Sequence, residues 1–190
     1  MLTIRQTVLA AGLSVVVASA GISAGFLQRI HAIPYEEMDR MRAIMTTMAG
    51  GANTTGYSPD PAPSTRVVRN NPDTRTVYCW ADLSGGPVRI SGPLPVDDYW
   101  SISVYTPDSL NPVVVSDREL GGAGRFDFIL AAAGEQAEAV AAQLPDGAQL
   151  AQINASEAAV LLRYFLPTKA DQPALDAIRR AARCASLNAR

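Results

Sequence analysis

Glycine and proline cut the stretch from Asn70 to Tyr105 into pieces too short for helices. Val77 to Leu83 is followed by Ser84-Gly85-Gly86-Pro87, and Val88 to Ser91 by Gly92-Pro93-Leu94-Pro95. Tyr99 to Tyr105 closes the stretch. Short apolar runs between such turn signals form antiparallel strands. Alternation then sorts the side chains. Val77, Cys79, Ala81 and Leu83 share one face of the first strand, and Tyr78, Trp80 and Asp82 share the other. In the third, Trp100, Ile102 and Val104 point to a core, while Tyr99, Ser101, Ser103 and Tyr105 line the opposite face.

The strand signals continue. Val67-Val68 begins the sheet, Val113 to Ser116 adds a short strand, and Gly121, Gly122 and Gly124 make a turn. Phe126, Phe128 and Leu130 alternate with Arg125, Asp127 and Ile129 as another strand. Gly134 to Leu144 reads as a short helix with Ala137, Val140, Ala141 and Leu144 on one face. Leu150 to Ile153 is a weak strand. Ala158 to Leu166 is a strong one, apolar enough for burial on both faces. Asp171 caps the last helix, Pro173 sits in its first turn, and Leu175, Ile178, Ala181 and Ala182 face the sheet. The fold class is α+β: a mainly antiparallel sheet or sandwich, with an N-terminal transmembrane helix and a C-terminal helix packed on the sheet.

Upstream, Thr7 to Leu27 carries no charged residue. That matches the ~20 residues a helix needs to cross a bilayer. Ala18-Ser19-Ala20 also has the small-x-small form of a secretory cleavage site. The apolar run continues through Ile22 and Phe26-Leu27, which favours an uncleaved anchor in the inner membrane with the following domain in the periplasm. A cleaved signal and a soluble periplasmic product is the alternative. Residues 1–29 are thus the anchor or signal, and residues 30–65 a juxtamembrane helix and linker. Residues 66–190 form the β-rich domain. Pro34 to Met48 reads as an amphipathic helix ended by Gly50-Gly51, with Met38, Met41, Met45 and Met48 on one stripe. That stripe either packs on the domain's own core or forms a seam with another helix, since thioethers suit adaptable interfaces. Asn53 to Ser64, rich in Gly, Pro, Ser, Thr and Asn, reads as a linker.

The chemistry on offer is sparse. With 48% hydrophobic and 18% charged residues the chain can build a core. A net charge of −2 gives no reason to expect nucleic acid. His31 is the single histidine, which removes multi-histidine metal sites and a Ser-His-Asp triad. Gly121-Gly122-Ala123-Gly124 lacks the spacing of a dinucleotide loop. No metal or cofactor is expected. Carboxylates remain. Asp82 shares its face with Tyr78 and Trp80, where partial burial would raise its pKa and suit it to act as an acid. A cleft gathering Asp82, Tyr99 and Asp117, with Arg118 beside it, would mark an enzyme. A flat apolar sheet face would mark an interaction module. Cys79 and Cys184 are the only cysteines. After export they form a bridge pinning the last helix to the sheet, or stay as two buried thiols.

Asn71-Pro72-Asp73-Thr74, Asp82-Leu83-Ser84-Gly85-Gly86-Pro87-Val88 and Tyr99-Trp100-Ser101-Ile102-Ser103-Val104-Tyr105 together resemble the bacterial envelope family called domain of unknown function 1254. The likeness is closest to its short, membrane-anchored members. Ser116-Asp117-Arg118, a late Leu-Arg strand and a final helix ending in Cys fit the same pattern. The resemblance runs from about Asn70 to Cys184 and speaks to the fold more than to the function. It implies longer relatives that continue into a second domain, numbered 1214, and hence a partner for this chain. That partner would be a second copy or a small anchored protein resembling the missing domain, meeting the Met38–Met48 stripe or the Trp80 face. The functional reading is a membrane-anchored, non-catalytic binding or partner-interaction module. An envelope enzyme using carboxylate and tyrosine chemistry is the alternative, and a purely structural envelope protein is third.

Overall fold

The structure is a computed structural model, and it describes residues 4–58, 71, 73–95, 98–120 and 124–187. Val67-Val68, Asp97 and Gly121-Gly122 lie outside the described residues. Two compact units divide the chain between Glu37 and Met38.

The first unit is helical throughout its described length. Its helix, α1, spans Ile4–Ala49 and so runs on into the second unit. The separate anchor and amphipathic helix expected from the sequence are therefore one element. Pro34 lies inside it. A proline removes one N–H and costs about 3 kcal/mol within a helix. Strong helix formers on both sides, among them Leu27, Ala32, Glu36 and Met38, carry the element through. Gly50 ends it at φ 84°. The Gly51 amide then donates back to the Thr46 carbonyl at 2.8 Å, which satisfies a terminal acceptor.

The second unit is a two-sheet sandwich. Its strands are β1 Gly56–Tyr57, β2 Thr74–Asp82, β3 Val88–Pro93, β4 Trp100–Tyr105 and β5 Val113–Ser116, followed by β6 Arg125–Ala132, β7 Gln149–Ile153, β8 Glu157–Phe165 and β9 Arg183–Ser186. Among the described residues, helices α2 Asp117–Leu120, α3 Glu135–Ala141 and α4 Gln172–Ala181 lie between them. Sheet A has the order β1-β2-β8-β4-β5 and is antiparallel at every pairing. Sheet B has the order β7-β6-β3-β9. There β6 and β7 run parallel, with α3 as the crossover helix that a parallel pair requires.

The core lies between the sheets, as the alternation predicts. Val77, Cys79 and Ala81 of β2 join Ile102 and Val104 of β4 against Val88 and Ile90 of β3 and Phe126, Phe128 and Leu130 of β6. The other face of sheet B packs Ile129 and Ala131 on Ala137 and Val140 of α3. β8 sits centrally, and Ala158, Ala159, Val160 and Leu162 are buried on both its faces.

Three sequence expectations are corrected here. The expected linker is part of the sheet at its start, because β1 pairs with β2 through Gly56 and Tyr57. Glycine is required at position 56: a Cβ there would meet Tyr78 Cε2 at 2.1 Å. Asp171 does not cap α4. Its carboxylate accepts from the Thr168 amide at 3.1 Å and hydroxyl at 2.7 Å, closing a capping box on the 3-10 turn Lys169–Asp171. Cys184 is not the end of the last helix. It belongs to β9, which pairs with β3 after α4 has ended. The Cys79–Cys184 disulfide forms as expected, with Cα atoms 6.3 Å apart, but it ties sheet A to sheet B rather than a helix to a sheet.

Candidate functional site

The outer face of sheet A brings together what the sequence offered as contact surface. Met38, Met45 and the half-buried Met41 of α1 pack on Tyr78, Trp80 and Ala159. The methionine stripe and the tryptophan face thus occupy each other. Met48 is the exception, at 46% exposed. Polar groups fix the register of this seam. The Trp80 indole donates to Glu157 Oε2 at 3.0 Å. Arg42 reaches the same oxygen at 3.4 Å and also pairs with Asp39 at 3.2 Å. A buried indole N–H generally finds such a partner, yet no local signal in the sequence linked Glu157 to Trp80.

The acid–base candidates do not converge. Asp82 pairs with Glu157 at one end of β8, while the Phe165 amide at the other end donates to the Tyr99 carbonyl. The length of β8 between them is about 25 Å at the usual rise of a strand. Asp117 starts α2 next to Ser116, which pairs with Ser101, so it lies at the Tyr99 end. One Asp117 carboxylate oxygen is buried without a hydrogen-bond partner, and Arg118 beside it is exposed. Tyr99 is half exposed. Asp82 reverses its expectation. The Ser84 hydroxyl and amide donate to Asp82 Oδ1 at 2.6 and 2.9 Å, and these bonds hold the carboxyl below the usual carboxylate range. Asp82 is a turn cap that stays ionised, not a raised-pKa acid.

A second polar cluster closes the Thr74 end of the sandwich under α4. Arg179 is buried at 6% exposure. Its guanidinium lies 6.0 Å from the centre of the Tyr57 ring, pairs with Asp176 at 3.5 Å and donates to the Ser58 carbonyl at 3.4 Å. Arg75 stands opposite Tyr164 in the β2–β8 register and donates to Gln172 Oε1 of α4 at 3.5 Å. Tyr164 is 1% exposed, and its hydroxyl has no hydrogen-bond partner. Burial pushes this phenol well above its ordinary value, and the Arg179 charge works against that rise. The sequence reading placed Ala181 against the sheet and left Arg179 outside it. Ala181 is in fact exposed. The i, i+3, i+7 spacing of Gln172, Leu175 and Arg179 carried the signal, but a helix pattern alone does not separate a buried arginine from a solvated one.

A sequence profile described as "Protein of unknown function (DUF1254)" matches residues 52–186 of this chain. The chain belongs to the DUF1254 family. Among solved structures, this DUF1254 protein is similar to the VPA0106 protein from Vibrio parahaemolyticus. The TM-score is 0.64 at 17% identity, over 84% of this chain and 36% of that one. It is also similar to an uncharacterised protein from Burkholderia cenocepacia. There the TM-score is 0.50 at 16% identity, over 86% of this chain and 43% of that one. These likenesses concern the fold alone, and this chain spans less than half the length of either protein. No curated protein matches it.

Proposed function

We propose that this DUF1254 protein is a membrane-anchored envelope module that binds a partner or a small ligand and performs no reaction of its own. One observation carries the reading. α1 is long and apolar enough to cross a membrane, and no residue of its apolar window is buried in the protein. Val15, Val16, Val17, Ile22 and Phe26 are 62 to 74% exposed. Leaving that much apolar surface in water costs roughly 25 cal/mol per Å², so lipid is its natural surrounding. The disulfide supports the same reading, because such bonds persist on the oxidising side of a membrane. The Ser84 hydroxyl donates to Asp82, and this turn bond supports the non-catalytic reading of that carboxylate. The partner is a second copy of the chain or a small anchored protein resembling domain of unknown function 1214. It meets a surface other than the Met38, Met41 and Met45 stripe.

Alkaline carbonate extraction of cell membranes tests the anchor. The protein stays in the pellet with a mature chain beginning near Met1. A soluble product beginning at Gly21 would show a cleaved signal instead. Crosslinking in intact cells tests the partner, and a strictly monomeric protein there and on sizing in detergent overturns it.

A further inference from the structure

We propose that the outer face of sheet A, at its Tyr99 and Phe165 end, binds a β-linked saccharide on a platform of these two rings. The inference names a ligand class for the binding module and rests on that reading.

The starting point is exposure. Outside α1, the large apolar side chains left exposed among the described residues are Tyr99, Leu110, Val114 and Phe165. Tyr99 and Phe165 stand together. The Phe165 amide donates to the Tyr99 carbonyl at 2.9 Å, one step beyond the Trp100–Tyr164 pair, so the two residues lie opposite each other. Trp100 and Tyr164 belong to the core, and alternation puts Tyr99 and Phe165 on the outer face. They are 50% and 37% exposed. Single exposed apolar residues are ordinary, whereas two neighbouring rings form a patch. Side chains opposite each other across a strand pair start about 4.5–5.5 Å apart. Successive units of an extended β-linked saccharide follow at a similar interval, so each ring can take one unit. A hexose with equatorial hydroxyls presents a face of C–H bonds, which suits the negative face of an aromatic ring.

The polar setting selects sugar over protein. Thr74 is opposite Phe165, and Arg163 is opposite Thr76 on one side and Ser101 on the other. Alternation places these residues on the same face as the two rings, with no aliphatic side chain among them. The buried centre of a protein-binding patch is apolar and poor in charge. Hydroxyls and a guanidinium around aromatic rings match instead the donors and acceptors of a sugar. Arg163 is half-buried, and among the described residues its side chain has no hydrogen bond or ion pair. Its donors are therefore at hand for sugar oxygens. α1 covers the same sheet face farther along, at Tyr78, Trp80 and Ala159, and leaves this end open.

The test uses the full chain with its disulfide intact, in micelles of a detergent without a sugar headgroup. Chitotetraose and cellotetraose, both β-linked, are titrated by calorimetry beside the α-linked maltotetraose. Saturable binding of at least one β-linked chain, at least tenfold tighter than that of maltotetraose, is expected. Tyr99→Ala removes an exposed ring, so it should unfold as cooperatively as the parent and bind at least tenfold more weakly. Tyr99→Phe keeps the ring and should stay within about threefold of the parent. No saturable binding of either β-linked chain overturns the site, as does undiminished binding by Tyr99→Ala. Equal binding of maltotetraose overturns the β-linked assignment. A crosslink to another protein in intact cells that Tyr99→Ala abolishes assigns the platform to a protein contact and overturns the saccharide. Each of these outcomes leaves the carbonate fractionation result untouched, so failure of the platform and failure of the anchor are read separately.

Discussion

The Trp80 indole N–H points at Glu157 Oε2 across 3.0 Å, on the strand face that α1 covers. Glu157 also receives Arg42 from that helix, so one carboxylate holds both sides of the seam. Replacing Glu157 with Leu strands a buried donor and should cost about 1–3 kcal/mol. Glu157→Gln keeps an acceptor and should cost less. Urea unfolding followed by tryptophan fluorescence ranks the two. Equal losses would mean that the indole bond contributes nothing.

The methionine stripe makes a sharper contrast. Met45 is 3% exposed and Met48 is 46% exposed. Met45→Glu buries an unpaired charge against Trp80 and should lower stability by more than about 3 kcal/mol, whereas Met48→Glu should stay within about 0.5 kcal/mol. Comparable effects in chemical denaturation would place the stripe at a contact outside this chain.

Gly56 should tolerate no side chain. With Tyr78 Cε2 2.1 Å from its Cβ position, Gly56→Ala must displace either the ring or strand β1. A loss of about 2 kcal/mol or more is expected, as for other overpacked sites. Tyr78→Leu in the same chain should recover part of it, measured as a double-mutant cycle. Simple additivity would show that the two positions do not clash.

Reduction of Cys79–Cys184 opens a loop with a sequence separation of 105. Loops of this size correspond to about 4–5 kcal/mol in the chain-entropy account. Denaturation midpoints with and without reductant measure it. Thiol labelling of the unreduced, denatured protein should find no free thiol, and two reactive thiols would contradict the bridge.

Acid should destabilise the domain. Ser84 holds the folded-state pKa of Asp82 below its ordinary value, and Thr106 and Ser116 do the same for Asp108 and Glu119. A carboxyl depressed in the folded state adds stability above its unfolded pKa. That stability is lost as pH falls through the folded value. The loss should therefore set in below about pH 4. Asp82→Asn should flatten this acid limb, measured by urea midpoints at successive pH values. A limb of unchanged steepness would remove Asp82 from the account.

Much of the sandwich was readable in the sequence because one face of each strand meets a core. Val77, Cys79 and Ala81 alternate cleanly, and the structure buries all three. β9 was not readable. Arg183–Ser186 turns a single buried residue, Cys184, inward and follows directly on a helix. The continuity of α1 was hidden by Pro34, whose local penalty says nothing of the helix formers around it. Asp82 was misread although its partner stood two residues away. Asp82-Leu83-Ser84 is a turn pattern, and the proximity of Tyr78 and Trp80 drew attention from it. The Arg75, Tyr164 and Arg179 cluster depends on the β2–β8 register and the seating of α4, both long-range facts.

The central position of β8 also dictates an order of events as the chain is made. β2 and β4 both hydrogen-bond to β8, yet both leave the ribosome well before it. Without residues 157–165, the pairings of sheet A reduce to β1 with β2 and β4 with β5, with nothing to join them. Assembly dominated by such distant pairings is slow. Sheet A can therefore be completed only near the end of synthesis, whereas β3, β6 and β7 of sheet B can pair before β8 is made. Cys184 arrives later still, so its bond to Cys79, which joins the two sheets, can form only after every strand of sheet A has been made.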